Sequence, residues 1–63
     1  MNRLKEMRNR NGLTQYELGK LIGKYQSRIL QLEHDYSPSK QWEKEAIAKV
    51  LMVHVKEIFP ETT

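Results

Sequence analysis

The sequence predicts an all-α fold, a compact bundle of five short helices. Apolar residues recur three and four positions apart along most of the 63 residues, which is the period of helices that bury one face. Glycine and proline signals divide the apolar stretches into short segments. The chain contains no cysteine, so its core has to form by helix packing, without disulfides or a thiolate metal site. We expect one domain over residues 1–60 and a frayed tail at residues 61–63.

The first helix is expected over residues 2–10, with Leu4 and Met7 facing the core. An Asn-Gly pair directly after it is the stop signal. Arg8 lies next to the inward side of this helix, where a guanidinium group is costly unless a carboxylate pairs with it. Arg8 therefore either has a carboxylate partner or remains solvated.

Residues 14–33 should form two short helices separated by Gly23, because glycine takes the left-handed conformation that ends a helix without a Cβ penalty. Thr14 and Glu17 are spaced as a capping box at the start of the second helix. Gly19 has no side chain and would allow the third helix to cross closely over the second. The expected buried stripes are Leu18, Leu21 and Ile22 in the second helix and Tyr25, Ile29 and Leu32 in the third.

The fourth helix is expected over residues 39–51, after a Ser-Pro-Ser start signal, and the fifth ends at Pro60. His54 stands at the cap position of the fifth helix, with Glu57 three residues further on. The expected inward side chains are Trp42, Ala46, Ile47, Val50 and Leu51 in the fourth helix and Val55, Ile58 and Phe59 in the fifth. The indole of Trp42 belongs either to the core or to a partner surface.

Positive charge is concentrated in the half of the chain that contains the glycine-separated helix pair. Residues 1–31 hold seven Lys or Arg against two Glu, a net charge of +5, and residues 32–63 hold four against six acidic residues, a net charge of −2. The two halves add up to the net charge of +3. A basic excess of this kind is either a solvated surface or a footprint for the phosphates of a nucleic acid.

The helix pair in residues 14–33 resembles the helix-turn-helix of the phage-repressor and Cro-like (XRE-type) DNA-binding proteins. The pattern consists of glycine at 19 and 23 and apolar residues at 18, 22, 29 and 32. The flanking helices are also in register with that family, so the resemblance covers roughly residues 2–60. Several positions depart from the family, which has a small apolar residue where Lys24 stands and a serine or threonine cap where Tyr25 stands. The family also commonly has Asn-Gly where residues 34–35 are His-Asp, and Pro38 comes one residue early.

The resemblance implies a repressor-like domain whose third helix, about residues 26–33, enters the major groove of DNA. Gln26, Ser27 and Gln31 match the family's base-contacting positions, and their chemistry suits that role. A glutamine amide can pair with N6 and N7 of adenine, and a serine hydroxyl can donate or accept. Leu30 shares this outward side, where it either meets a thymine methyl group or is a lone exposed leucine.

The resemblance also implies phosphate contacts and one internal ion pair. Gln15 matches a glutamine that binds a phosphate beside a helix N-terminus. Further phosphate candidates, supported only by the basic charge of the region, are Lys24, Arg28, Arg10 and Lys40. Arg8 matches an arginine that pairs with the glutamate closing the third helix, here Glu33. We therefore expect an Arg8–Glu33 ion pair that joins the first helix to the third.

Together these expectations describe a small transcriptional regulator, a repressor, that binds double-stranded DNA without a cofactor or a metal ion. One domain of this size contacts too little DNA to select a genomic site alone, so we expect a homodimer on a palindromic operator. The candidate dimer surface lies around Met52, Val55 and Phe59. The alternative is a protein-interaction module, antitoxin-like or adaptor, that keeps the fold without contacting DNA.

Other function classes find no support in the sequence. No nucleophile–base pair, glycine-rich phosphate loop or carboxylate pair in an apolar setting indicates an enzyme or a small-molecule substrate. The longest apolar run, residues 50–53, is too short to cross a membrane, and the N-terminus lacks the apolar segment of a signal peptide. A cytoplasmic, nucleoid-associated protein is expected.

Overall fold

The computed structural model describes residues 2–60, and these residues contain no β-strand. Their helices are α1 (Leu4–Arg10), α2 (Gln15–Ile22), α3 (Gln26–Glu33), α4 (Gln41–Leu51) and α5 (Val55–Ile58). The predicted all-α architecture is therefore confirmed, with α1 and α4 beginning slightly later than the sequence suggested. The expected tail at residues 61–63 lies outside the described residues.

A single apolar core joins all of these helices. Its buried members are Leu4, Met7, Leu18, Ile29, Leu32, Ile47, Ala48, Leu51, Ile58 and Phe59. The N-terminal segment is tied to two other parts of the bundle, because the Arg3 amide donates to the Ile58 carbonyl at 2.8 Å and the Asn2 side chain donates to the Leu32 carbonyl at 2.8 Å. These bonds hold α1 against both α3 and α5.

The ends of α2 are fixed by the local sequence, as predicted. The Glu17 amide donates to the Thr14 hydroxyl at 3.0 Å, and the Thr14 amide donates to the Glu17 carboxylate at 2.9 Å, which completes the capping box. Gly23 ends the helix in the left-handed conformation with a φ of 74°. A Cβ atom on Gly19 would lie 2.6 Å from the Lys24 carbonyl oxygen, so only glycine permits the close approach of the turn to α2.

Three side chains predicted to face the core are exposed instead. Leu21 is 59% exposed because the buried side of α2 runs through Leu18 and Gly19, which turns Leu21 outward. Tyr25 is 86% exposed because it is the extended cap residue of α3 and so does not follow the helical period. Trp42 is 45% exposed because it lies in the first turn of α4, where the neighbouring Glu43 is buried in its place.

The surface predicted to form the dimer interface is only partly exposed. Met52 is 88% exposed at the left-handed C-cap of α4, and Val55 is half-buried. Phe59 is only 6% exposed, because it packs in the core at the end of α5 with the Lys44 ammonium 5.8 Å from its ring centroid. Phe59 therefore stabilises the monomer and is not available for contact with a second subunit.

Candidate nucleic-acid interface

The outward side of α3 carries the polar residues that the sequence assigned to base contacts. Gln26, Ser27 and Gln31 are exposed, and Leu30 lies among them with 40% of its surface accessible. The opposite side of the same helix is fully buried through Ile29 and Leu32. This division makes α3 a short helix with one apolar side in the core and one polar side in solvent.

The C-terminal end of α3 is held by a buried ion pair with α1. The Arg8 guanidinium donates to the Glu33 carboxylate at 2.5 Å and to the Leu13 carbonyl at 2.7 Å. The two charged side chains are 9% and 1% exposed, so water contributes little to their solvation. The pairing that the resemblance implied is therefore present in the structure, and it fixes where α3 ends.

Gln15 joins this ion pair from the first turn of α2. Its amide nitrogen donates to the second oxygen of the Glu33 carboxylate at 3.0 Å. An amide nitrogen carries two hydrogens, so one N–H of Gln15 remains for another acceptor. The free backbone N–H groups at the start of α2 lie beside it. Gln15 therefore connects the buried ion pair to a helix N-terminus that suits an anion.

Arg28 joins the other half of α3 to α4 and to the loop that precedes α4. Its guanidinium donates to both oxygens of Glu43 at 2.8 and 2.7 Å and to the Pro38 carbonyl at 3.0 Å. It also donates to the Gln31 side-chain oxygen at 3.2 Å. Arg28 was predicted to bind a phosphate. Four of its five N–H donors are bound within the protein, one N–H of Nη1 remains, and its side chain is only 19% exposed, so the phosphate contact stays a prediction.

The carboxylate of Glu43 is the most perturbed titratable group of this site. Its side chain is 1% exposed, and its pKa is lowered to about 2, mainly by the hydrogen bonds from Arg28 and further by the Lys40 backbone amide. The buried position of Glu43 and its pairing with Arg28 were not predicted from the sequence. A signal was present, because Glu43, Ile47 and Leu51 are spaced four residues apart and so share the buried side of α4.

Comparison with known protein families decides which kind of bundle this is. A family model described as Helix-turn-helix matches residues 4–58. The chain belongs to the XRE-type helix-turn-helix family. Proteins of this family are typically DNA-binding regulators. No curated protein and no solved structure shows a significant match to the chain.

The other phosphate candidates are held more weakly than Arg28. Arg10 is paired with Glu6 at 3.1 Å on the surface, the Lys24 ammonium lies 5.1 Å from the Trp42 ring centroid, and Lys40 is exposed at the cap of α4. Surface ion pairs and exposed cation–π contacts stabilise by only about 1 kcal/mol or less. These side chains can therefore exchange their present contacts for a phosphate.

Exposed aromatic rings flank α3 at both ends. Tyr25 stands at its N-cap, and the rings of His34 and Tyr36 stack after its C-terminus with their centroids 5.1 Å apart. Tyr25 was predicted to lie in the core, and no role was predicted for Tyr36. Tyr36 follows the last buried position of α3, so the end of the apolar period was the available signal for its exposure.

No helix within residues 2–60 is long and apolar enough to cross a membrane. The same residues contain no group of three or more side chains that could hold a metal ion together.

Proposed function

We propose that this helix-turn-helix protein is a transcriptional regulator, a repressor, that binds a specific sequence of double-stranded DNA with α3 in the major groove. The observation that carries the proposal is the outward placement of Gln26, Ser27 and Gln31 on one side of α3. Amide and hydroxyl groups are suited to the donor and acceptor pattern of base edges. Repression would follow where the bound site overlaps a promoter.

Binding would combine a term that depends on charge with a term that depends on sequence. Phosphates would contact the free N–H of Gln15 and the N-terminal backbone amides of α2. They would also contact the charged side chains of Lys40, Lys24 and Arg10. Base edges would contact the outward side of α3. The first term positions the protein on the duplex, and the second selects the operator.

The first test measures affinity for a random duplex between about 50 and 200 mM salt, where each neutralised phosphate contributes a slope of about −0.9. Lys40→Ala should reduce the slope of log affinity against log salt by about the contribution of one phosphate. Gln26→Ala should change the DNA sequence that is selected without changing this slope. Gln41→Ala is the matched control, because Gln41 is an exposed glutamine on α4. A flat salt response would instead favour the adaptor or antitoxin-like alternative.

We also propose a homodimer on a palindromic operator, with half-sites about one turn of DNA apart. Two exposed apolar surfaces could support it. One is centred on Met52, and the other lies on α2 around Tyr16 and Leu21, which are 60% and 59% exposed. The second surface would equally suit a different protein partner, which is the observation that favours the alternative function.

Sedimentation equilibrium with and without operator DNA tests the dimer, and two variants distinguish its surfaces. Met52→Lys should weaken self-association if the α4 end is the interface, and Leu21→Lys should weaken it if α2 is. Both residues are exposed, so neither variant should unfold the monomer. A monomer at high micromolar concentration on DNA would exclude the homodimer.

A further inference from the structure

We infer that Arg28 is a specificity-positioning residue, which holds the Gln31 amide oxygen and so turns the NH₂ group of Gln31 towards a base. This inference rests on the proposed function, because it assumes that α3 lies in the major groove. It assigns to Gln31 a preference for bases with acceptors at the major-groove edge. Adenine, which Gln31 would otherwise suit, is then disfavoured at that position.

The orientation follows from the chemistry of the two side chains. Arg28 Nη1 lies 3.2 Å from Gln31 Oε1. A guanidinium has only N–H donors, so the Gln31 atom that faces it has to be the amide oxygen. The assignment does not depend on how the two ends of the amide are distinguished, because the reversed amide would bring N–H groups against N–H groups. The nitrogen of Gln31 consequently points away from Arg28.

Arg28 itself is fixed from the side opposite Gln31. Glu43 accepts two hydrogen bonds from it, and the Pro38 carbonyl accepts a third. The Glu43 carboxylate is held in turn by the Lys40 backbone amide at 2.9 Å. A guanidinium bound at three acceptors loses little further freedom when it contacts a fourth group. It therefore acts as a rigid donor beside Gln31.

Gln26 provides an internal comparison on the same helix. Among residues 2–60, no side-chain hydrogen bond is found for Gln26, and it is exposed. Its amide can rotate to present either end or both. Gln26 can therefore make the two-bond contact with adenine, in which the oxygen accepts from N6 and the nitrogen donates to N7. Two glutamines on one helix thus differ in the bases that they can select.

Gln31 presents two N–H donors, whereas its oxygen is directed towards Arg28 and keeps one lone pair. These donors match O6 and N7 of guanine or O4 of thymine, whereas the N4 amino group of cytosine offers only donors. Adenine retains one acceptor at N7, but its N6 amino group then faces a second donor. The expected order at this position is guanine or thymine first, adenine next and cytosine last.

The test is selection of bound duplexes from a random pool by the wild type, Gln31→Ala and Arg28→Lys. Gln31→Ala identifies the operator position that Gln31 contacts. The wild type should select guanine or thymine there. Arg28→Lys keeps the positive charge beside Glu43 but loses the planar fork that places a separate nitrogen against Gln31. The ratio of guanine plus thymine to adenine should then fall about tenfold at that position alone, the effect of one good base contact.

Other outcomes separate the inference from the proposed function. Adenine or cytosine at the Gln31 position in the wild type, or an unchanged ratio in Arg28→Lys, would overturn the role of Arg28 while the proposed function stands. Equal weakening at all positions would reduce Arg28 to a structural residue and overturn it as well. A wild type that enriches no sequence would overturn the proposed function together with this inference.

A measurement without DNA tests the orientation by itself. In NMR spectra of the free wild type, the side-chain NH₂ of Gln31 should be ordered, and that of Gln26 should be mobile. Arg28→Lys should make the two alike, and a melting curve should show that this variant is folded. If Gln31 is already as mobile as Gln26 in the wild type, the inference is wrong whatever the protein binds.

Discussion

The two helices of the helix-turn-helix have the same length but are held in place by different means. α2 has a capping box at Thr14, a left-handed glycine at its end and Gly19 under the turn, all encoded within its own sequence. α3 has no side-chain cap at Tyr25 and instead depends on Arg8 from α1 and Glu43 from α4.

The difference indicates how α3 can keep a polar outward side. The position of α3 is fixed by buried apolar residues and by ion pairs to neighbouring helices. Of the three outward polar residues, Gln31 contacts this network through its bond from Arg28, and Gln26 and Ser27 do not. The variants below test this division, starting with the largest expected effect.

Removing Arg8 should destabilise the fold most. Arg8→Met leaves the Glu33 carboxylate buried with one neutral donor, Gln15, and the loss of one partner of a buried pair costs about 3–5 kcal/mol. Urea unfolding followed by Trp42 fluorescence measures the change. Arg10→Met is the matched control, because Arg10 is 65% exposed and its surface pair should contribute less than about 1 kcal/mol. Equal stability of the two variants would show that the buried pair does not fix α3.

The second largest effect is expected at Glu43 and depends on pH. Glu43→Gln removes the charge that accepts two hydrogen bonds from Arg28, which should cost about 2 kcal/mol at pH 7. The folded pKa of Glu43 is about 2 and lies below the ordinary value of 4.5. The stability that this carboxylate contributes is therefore complete above pH 4.5 and is lost as the pH falls towards 2.

Urea unfolding of the wild type and Glu43→Gln across that pH range gives the measurement. The difference between the two proteins should shrink as the pH falls from 4.5 to 2, because the wild-type carboxyl becomes neutral. Glu45→Gln changes the same net charge on the exposed side of α4 and should have little effect at any pH. A difference that stays constant down to pH 2 would mean that the ionised form of Glu43 does not stabilise the fold.

The contrast between α2, which is fixed by its own residues, and α3, which is fixed by residues of other helices, decides how much could be predicted from the sequence. The ends of α2 were predicted correctly because Thr14, Glu17 and Gly23 act on backbone groups within a few residues of themselves. Helix order and most of the core also follow from local periodicity. The Arg8–Glu33 pair was expected only through the family resemblance, since no local rule joins residues 25 positions apart.

The pairing of Arg28 with Glu43 was predicted neither by local periodicity nor by the family resemblance. The basic charge of the region suggested a phosphate, and the competing carboxylate lies on another helix, 15 positions along the chain. Periodicity also failed at Tyr25, because a cap residue has extended backbone angles and leaves the helical period. Which of Leu21 and Ile22 turns inward depended on how the Gly19 contact rotates α2, and that contact is tertiary.

Gly19→Ala should have an intermediate effect. The added Cβ would lie 2.6 Å from the Lys24 carbonyl oxygen, a backbone atom that cannot move without shifting the turn. Overpacking of this kind costs about 1–3 kcal/mol, which outweighs the gain in helix propensity of about 1 kcal/mol or less. Thermal unfolding measures the result, with Lys20→Ala at the exposed neighbour as the control. A more stable Gly19→Ala would show that the turn is not closely packed on α2.

The smallest expected effect is a gain of stability at the start of α3. Tyr25 already has the extended backbone of an N-cap, with φ −77° and ψ 157°, but its side chain accepts no bond from the helix. Tyr25→Ser would supply that acceptor and should stabilise the fold by about 1 kcal/mol in urea unfolding, whereas Thr14→Ala should cost α2 a similar amount. Tyr25→Ala removes the same exposed ring without adding a cap, so the difference between the serine and alanine variants measures the cap alone. If those two variants are equally stable, the first turn of α3 is already fixed by Arg28 and Glu43, and the missing cap has no energetic consequence.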